Sequence, residues 1–253
     1  VLREIRIQVG RTGVLTPVAE FDPVVVAGST IARATLHNID EIHRKNVREG
    51  DTIIVHKAGD VIPEIVRPVL EKRPLNSKPF MMPTVCPSCG SPVVKEEGEV
   101  AYRCVSIDCP AQATERLIHW GSRKAMDIDG LGEELVNKLV ANGILSDVAD
   151  FYDKLTVSDI AELPTGRFYE TDTDGHLSGV PIPTGLTIAE KIMAQIQESK
   201  IRGLACVLFG IGIRHVGANM AALLAQYFHS IQELQLATEE QMAAISGVGP
   251  KMA

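Results

Sequence analysis

The sequence predicts a multidomain chain made of three unlike parts. An all-β barrel or sandwich comes first, then a short segment closed by four cysteines, then an all-α array of short helices joined by glycine turns. Three observations carry this. The hydrophobic period changes from strand-like to helix-like along the chain. Four of the five cysteines lie within Cys86–Cys109. A Gly-x-x-x-small/apolar string recurs in the helical half at a regular interval.

Residues 1–75 read as strands. Arg3–Val9 alternates apolar and polar residues, Pro23–Ala27 is β-rich, Asp51–His56 follows a Gly50-Asp51 turn signal, and Val61–Val69 is a further run broken by Pro63. Short strands with turn signals about every ten residues suit a small barrel or sandwich. Within Thr35–Asn46, Leu36, Ile39 and Ile42 recur at helical spacing and predict a short helix. Glu71–Pro83, rich in Lys, Arg and Pro and without period, reads as a linker.

The cysteine spacing is Cys86-x2-Cys89-x14-Cys104-x4-Cys109. Two thiolates from each of two knuckles can surround a tetrahedral Zn²⁺, and Pro87 and Gly90 suit a tight first knuckle. Four thiolates leave no open coordination position, so the metal is expected to be structural and to fold a segment that lacks its own core. Five cysteines, four of them clustered, do not make a secreted disulfide scaffold. Cys206, within apolar Leu204–Phe209, is expected in the core.

From Gln112 onward the pattern is helical, with amphipathic stretches at Glu133–Asn142, Thr187–Ser199, Ala218–Phe228 and Thr238–Ala244 and an N-cap at Thr238. The strings beginning at Gly132, Gly185, Gly217 and Gly249 are alike, and the last three are 32 residues apart. A fixed interval of that size marks stacked supersecondary units. The first interval is 53 residues, and Pro164-Thr-Gly166 recurs as Pro183-Thr-Gly185. Arg167–Ile182, polar and aperiodic, is therefore read as an inserted surface loop. In Ile128-Asp-Gly130-Leu-Gly132 and Ile245-Ser-Gly247-Val-Gly249 an apolar residue between two glycines ends one helix and starts the next. Glycine permits the tight turn and the close approach of another backbone. The following helix offers free N–H groups to a phosphate. The alternative is a helical scaffold with glycine turns and no ligand.

Net charge is −7, which at first argues against a nucleic-acid binder. The acidity is confined to residues 126–253, with 17 Asp+Glu against 8 Lys+Arg, while residues 1–80 carry 12 Lys+Arg and 10 Asp+Glu. A DNA grip in the helical half would need backbone N–H groups and a few placed cations. In the β-rich part, Gly10-Arg11-Thr12-Gly13, Arg33–Asn38 and Lys57–Asp60 place cations and hydroxyls beside small residues. Such groups bind phosphate, and solvated turns account for them equally well. No apolar run is long enough to cross a bilayer and no signal peptide opens the chain, so no membrane partner and a cytoplasmic location are expected.

Several of these strings resemble one family. Val9–Gly13, Leu15–Ala19, Arg33–Asn38, Gly50-Asp51 and Ala58–Pro63 are similar to the OB domain of bacterial NAD-dependent DNA ligases. The four cysteines, His119, Ser122-Arg123 and Ala125–Gly132 resemble that family's zinc finger and first helical hairpin, and Gly212-Ile-Arg214-His-Val-Gly217 its third. The resemblance implies an OB-type barrel over residues 1–75, a linker and four-cysteine zinc finger over 76–112, and a helix-hairpin-helix array over 113–253, with 167–182 inserted and the fourth hairpin cut short. It implies the DNA-binding and nick-positioning portion of an enzyme that seals 5′-phosphate/3′-hydroxyl nicks in duplex DNA during replication and repair. NAD and Mg²⁺ would then be bound mainly by a nucleotidyl-transfer domain that, like a BRCT domain, is expected elsewhere in the same polypeptide. No Lys-x-Asp-Gly adenylation string occurs here, so no catalytic residue is expected and the chain alone should be inactive. Arg11, Thr12 and Lys57 would meet the DNA backbone or active site. Gly130, Gly132, Gly185, Arg214, Gly217, Gly247 and Gly249 would hold the duplex through its phosphates. The competing readings are another helix-hairpin-helix repair protein and a zinc-stapled interaction module.

Overall fold

A computed structural model describes residues 1–59, 62–168 and 181–249. It divides into two compact units, Val1–Gln112 and Ala113–Ala253.

The first unit begins with an antiparallel sheet of β1 (Leu2–Val9), β2 (Leu15–Val26) and β3 (Ser29–Thr35), in that order. Strand β2 is longer than the sequence suggested. Pro17 obscured its first half, yet Leu15, Pro17, Ala19 and Phe21 alternate inward along it. A bulge near Glu20–Val24 absorbs Pro23, which has no ladder N–H to give. Strand β3 was not foreseen. Its turn from β2 is Ala27-Gly28, both at positive φ (46° and 74°), a hairpin geometry usually announced by Asn-Gly. Helix α1 (Ile39–Lys45) follows, with Asn38 accepting from the Glu41 N–H and Asn46 closing the end in the left-handed region. Strands β4 (Ile53–Ala58) and β5 (Ile62–Pro68) form a separate antiparallel pair. Among the described residues the three-stranded sheet and this pair do not join into one ladder, so the expected barrel is not closed. Its core is Leu2, Ile5, Phe21, Leu36, Ile42 and Ile65.

The stretch expected as a linker is instead a strap. After a 3-10 turn at Leu70–Lys72, Arg73 makes two 2.8 Å bonds to the buried Asp51 carboxylate. Arg48 donates to Ser77 O at 3.0 Å, His43 Nε2 lies 3.1 Å from Phe80 O, and Phe80 and Met82 pack on the barrel core. The stretch has no period because it is held through single residues. Beyond it, β6 (Val93–Lys95) pairs with β7 (Tyr102–Cys104) beside the cysteines.

The second unit is helical. Helices α2 (Pro110–Gly121), α3 (Glu133–Ala141), α4 (Asp150–Asp153), α5 (Val157–Ala161) and α6 (Leu186–Ser199) surround Leu117, Val136, Leu139, Phe151, Ile160 and Ile196. Helices α7 (Leu204–Ile211), α8 (Ala218–Tyr227), α9 (Ile231–Leu236) and α10 (Glu239–Ala243) form a second cluster around Leu208, Val216, Leu224, Ile245 and Val248. Cys206 is half-buried at the edge of the first cluster rather than fully enclosed. His119 on α2 places Nε2 2.8 Å from Phe209 O on α7 and meets that ring edge-on at 4.6 Å, a packing role.

The described ends of the proposed loop are paired with one another. Strand β8 (Pro164–Phe168) pairs antiparallel with β9 (Pro181–Pro183), so the leading prolines of the duplicated Pro-Thr-Gly strings, Pro164 and Pro183, lie opposite one another. Residues 169–180 of that loop, and 250–253 of the fourth hairpin, lie outside the described residues. No helix among the described residues is long and apolar enough to cross a membrane.

Candidate functional site

The four cysteines converge. Cys86, Cys104 and Cys109 are buried and Cys89 is half-buried, with all four Sγ atoms within 4.8 Å of one another. Cys86 and Cys109 are 3.9 Å apart and Cys89 and Cys104 are 3.5 Å apart. A tetrahedral ZnS₄ centre with bonds of about 2.3 Å spaces its sulfurs by about 3.8 Å, so the donor set fits Zn²⁺. The first knuckle closes through Gly90 N–H to Cys86 O at 2.9 Å, with Gly90 at φ 71°. Hydrogen bonding with Ser91 draws the Cys89 thiol down to about 6, while burial pushes the Cys104 thiol up to about 12. A coordinated cation removes that conflict, because metal-bound thiols are deprotonated outright. The cysteines, with Val9 and Leu15, make a small core of their own.

Arg11 and Thr12 form the β1–β2 turn of the first unit. Gly10 N–H donates to Val14 O at 2.9 Å and Gly13 N–H to Gly10 O at 2.8 Å. Both side chains are half-exposed, and the buried Nε of Arg11 has no hydrogen-bond partner among the described residues. Lys57 lies on another hairpin, half-exposed on β4 opposite Pro63.

The hairpin glycines of the second unit fall into two kinds. Gly130, Gly185 and Gly247 have φ of 84°, 86° and 98°, which side chains rarely adopt. Gly130 and Gly247 also lie against neighbouring helices, where an added Cβ would come within 3.0 Å of Ile192 and 3.3 Å of Leu223. These glycines build the turns. Gly132 and Gly217 are different. Their φ of −82° and −81° suits any residue, and an added Cβ would meet nothing within 4 Å. Of the two reasons for glycine, conformation and close approach by another backbone, only the second remains for this pair. Gly249 likewise has open space around it. Arg214 is exposed beside the α7–α8 turn, and His215, at φ 68°, holds the position that Gly130 holds in the first hairpin.

The helix starts differ in their capping. Helices α5, α9 and α10 begin at Thr156, Ser230 and Thr238, whose hydroxyls accept from their own first turns. Helices α3, α6 and α8 begin at Gly132, Gly185 and Gly217 with no side-chain cap. Their leading N–H groups are left for solvent or a ligand, at the positive end of the helix dipole.

Sequence reasoning missed Gln112. Only 6% exposed, it donates to Cys104 O at 3.1 Å and Ser106 O at 3.0 Å and so braces the second knuckle. Its i+3, i+4 and i+7 neighbours, Glu115, Arg116 and His119, are polar as well, so the sequence carries no signal for its burial.

Three family models match the chain. The NAD-dependent DNA ligase OB-fold domain covers residues 1–77, the NAD-dependent DNA ligase C4 zinc finger domain 85–111, and the helix-hairpin-helix motif 206–253. The zinc-finger match and the clustered cysteines together support a structural Zn²⁺. A DNA ligase of Desulfitobacterium hafniense is 46% identical over 253 residues, all of this chain and 36% of the relative. DNA ligases of Heliobacterium modesticaldum and Lactiplantibacillus plantarum are 46% and 45% identical over 252 residues, again all of this chain and 34% of each relative. The chain thus spans about a third of the length of the curated relatives it matches.

Proposed function

Since the chain belongs to the NAD-dependent DNA ligase family, we propose that it is the part of such an enzyme that grips duplex DNA around a nick and holds the ends for sealing. Chemistry in the whole enzyme would run on NAD and Mg²⁺ in a nucleotidyl-transfer domain elsewhere in the polypeptide. Phosphoryl transfer depends on positioning and charge neutralisation, and positioning is what this chain offers. Zn²⁺ held by Cys86, Cys89, Cys104 and Cys109 acts as a staple. Arg11, Thr12 and Lys57 supply side-chain contacts to the backbone, and Arg214 adds one beside the third hairpin. The turns containing Gly130, Gly132, Gly185, Gly217, Gly247 and Gly249 bring main-chain N–H groups to phosphates. A zinc–thiolate centre suits a reducing cytoplasm.

One observation carries this reading. Gly132 and Gly217 have neither a conformational nor a packing reason to be glycine within the chain, and each starts a helix without a side-chain cap. Titration of a nicked duplex with the 253-residue polypeptide is expected to show binding that weakens steeply with salt. Absence of binding at low salt overturns the reading. Incubation with labelled NAD should leave the polypeptide unlabelled, because it contains no Lys-x-Asp-Gly string. A covalently labelled band contradicts the assignment of adenylation to another domain.

A further inference from the structure

The four-cysteine centre does more than close its own segment: we propose that it positions the Arg11–Thr12 turn, through a backbone contact between Gly13 and Cys104. The proposal rests on the reading of that turn as a phosphate contact only where DNA binding is concerned. The coupling itself stands on geometry.

The Cys104 peptide is held from three sides. Its thiol belongs to the metal-binding cluster. Its N–H donates to Gly13 O at 2.8 Å. Its carbonyl accepts from the buried Gln112 amide at 3.1 Å. The next pairing, Val14 with Arg103, extends the contact as an antiparallel bridge, so β7 is docked on the start of β2. Val9 and Leu15, the residues on either side of the turn, pack in one core with Cys86, Cys104 and Cys109.

Gly13 is the point of closest approach. It is buried at φ 78°, and an added Cβ would stand 2.2 Å from the Cys104 carbonyl oxygen, a backbone atom that cannot swing aside. Glycine is therefore required here by Cys104 and by the turn together. The turn carries a guanidinium whose buried Nε has no partner among the described residues, so Arg11 is aimed by its backbone rather than tied down by its own side chain. That backbone is anchored on Cys104. The strands β6 and β7 are three residues each and cannot hold Cys104 in place unaided, so the metal would join the Gln112 bond and the small core in fixing it. Gly13 and Cys104 are positioning residues: they act on DNA only through Arg11 and Thr12.

Hydrogen exchange on the 253-residue chain, with zinc bound and after chelation, tests the coupling. Chelation is expected to speed exchange across residues 10–14 at least tenfold together with 85–111, while the β4–β5 hairpin changes less than twofold. Unchanged protection at 10–14, when 85–111 has lost its own, overturns the proposal. Should chelation open β4–β5 as well, Gly13→Ala decides. That variant is expected to keep one zinc per chain and to exchange faster at 10–14, and wild-type exchange there overturns the proposal. On nicked duplex, Arg11→Ala should weaken binding in the wild-type background but by less than twofold in the Gly13→Ala background. Equal losses in both backgrounds contradict the coupling. If Arg11→Ala has no effect in either background, the phosphate-contact reading falls, and the exchange data alone judge the coupling.

Discussion

In the proposed function, the two units would present phosphate-binding groups by opposite means. The first unit, with 14 Lys+Arg and 14 Asp+Glu, would offer the side chains of Arg11, Thr12 and Lys57, in a framework that contains a cysteine cluster and a buried Asp51–Arg73 pair. The second, with 11 Lys+Arg against 18 Asp+Glu, offers main-chain N–H groups at glycine-started helices and fixes them with two apolar clusters. A surface too acidic to attract DNA by net charge can still hold it through local dipoles, provided no side chain occupies the helix starts. Side-chain caps are present on α5, α9 and α10 and absent on α3, α6 and α8, as they are on α4 and α7.

The largest expected effect separates the anchors. Removing zinc withdraws stabilisation on the order of 10 kcal/mol from the cysteine segment. Residues 85–111 should lose exchange protection, while the helical circular dichroism of the second unit should persist. Loss of both together would show that the units do not have separate anchors. In the second unit the counterpart is Phe151→Ala, which empties a fully buried site and should cost about 3–5 kcal/mol, with zinc content unchanged.

The next effect depends on pH. Asp150 is 5% exposed, and burial alone would raise its pKa, but bonds from Lys154, from the Ser146 N–H and hydroxyl and from the Asp147 N–H hold it well below the ordinary carboxylate range. A folded value below the unfolded one gives stability that is complete above about pH 4 and is lost as pH falls toward the folded value. Unfolding midpoints of the second unit should drop on acidification below that point, and Asp150→Asn should flatten the drop. An equally steep drop in the variant assigns it to other carboxylates.

Smaller still, Thr238→Ala removes a capping box and should cost about 1 kcal/mol without touching DNA affinity. Weaker DNA binding by this variant would blur the line between capped and open helix starts.

Much of this was legible in the sequence. The cysteine spacing specified the cluster, and helical periodicity located α3, α6, α8 and α10, because both signals are local. What was missed depends on long-range contacts. The 71–83 strap is fixed by Arg73, Arg48 and His43 meeting partners 22 to 37 residues away, which no short window reveals. Gly13 read as one more turn glycine until Cys104 was found against it. The repeat glycines looked equivalent, and only their φ angles and surroundings separate Gly130 and Gly247, which build turns, from Gly132 and Gly217, which leave space.

The central claim, side-chain charge in one unit and backbone dipoles in the other, is tested most directly by salt-dependent binding of a nicked duplex to wild type, Arg11→Ala and Gly217→Val. Arg11→Ala should lower the log–log salt slope by about 0.9, the share of one phosphate contact. Gly217→Val has no strain to relieve inside the chain and should fold normally, weaken binding at every salt concentration and leave the slope unchanged. A folded Gly217→Val chain that binds as tightly as wild type, or that loses slope as Arg11→Ala does, would contradict the account.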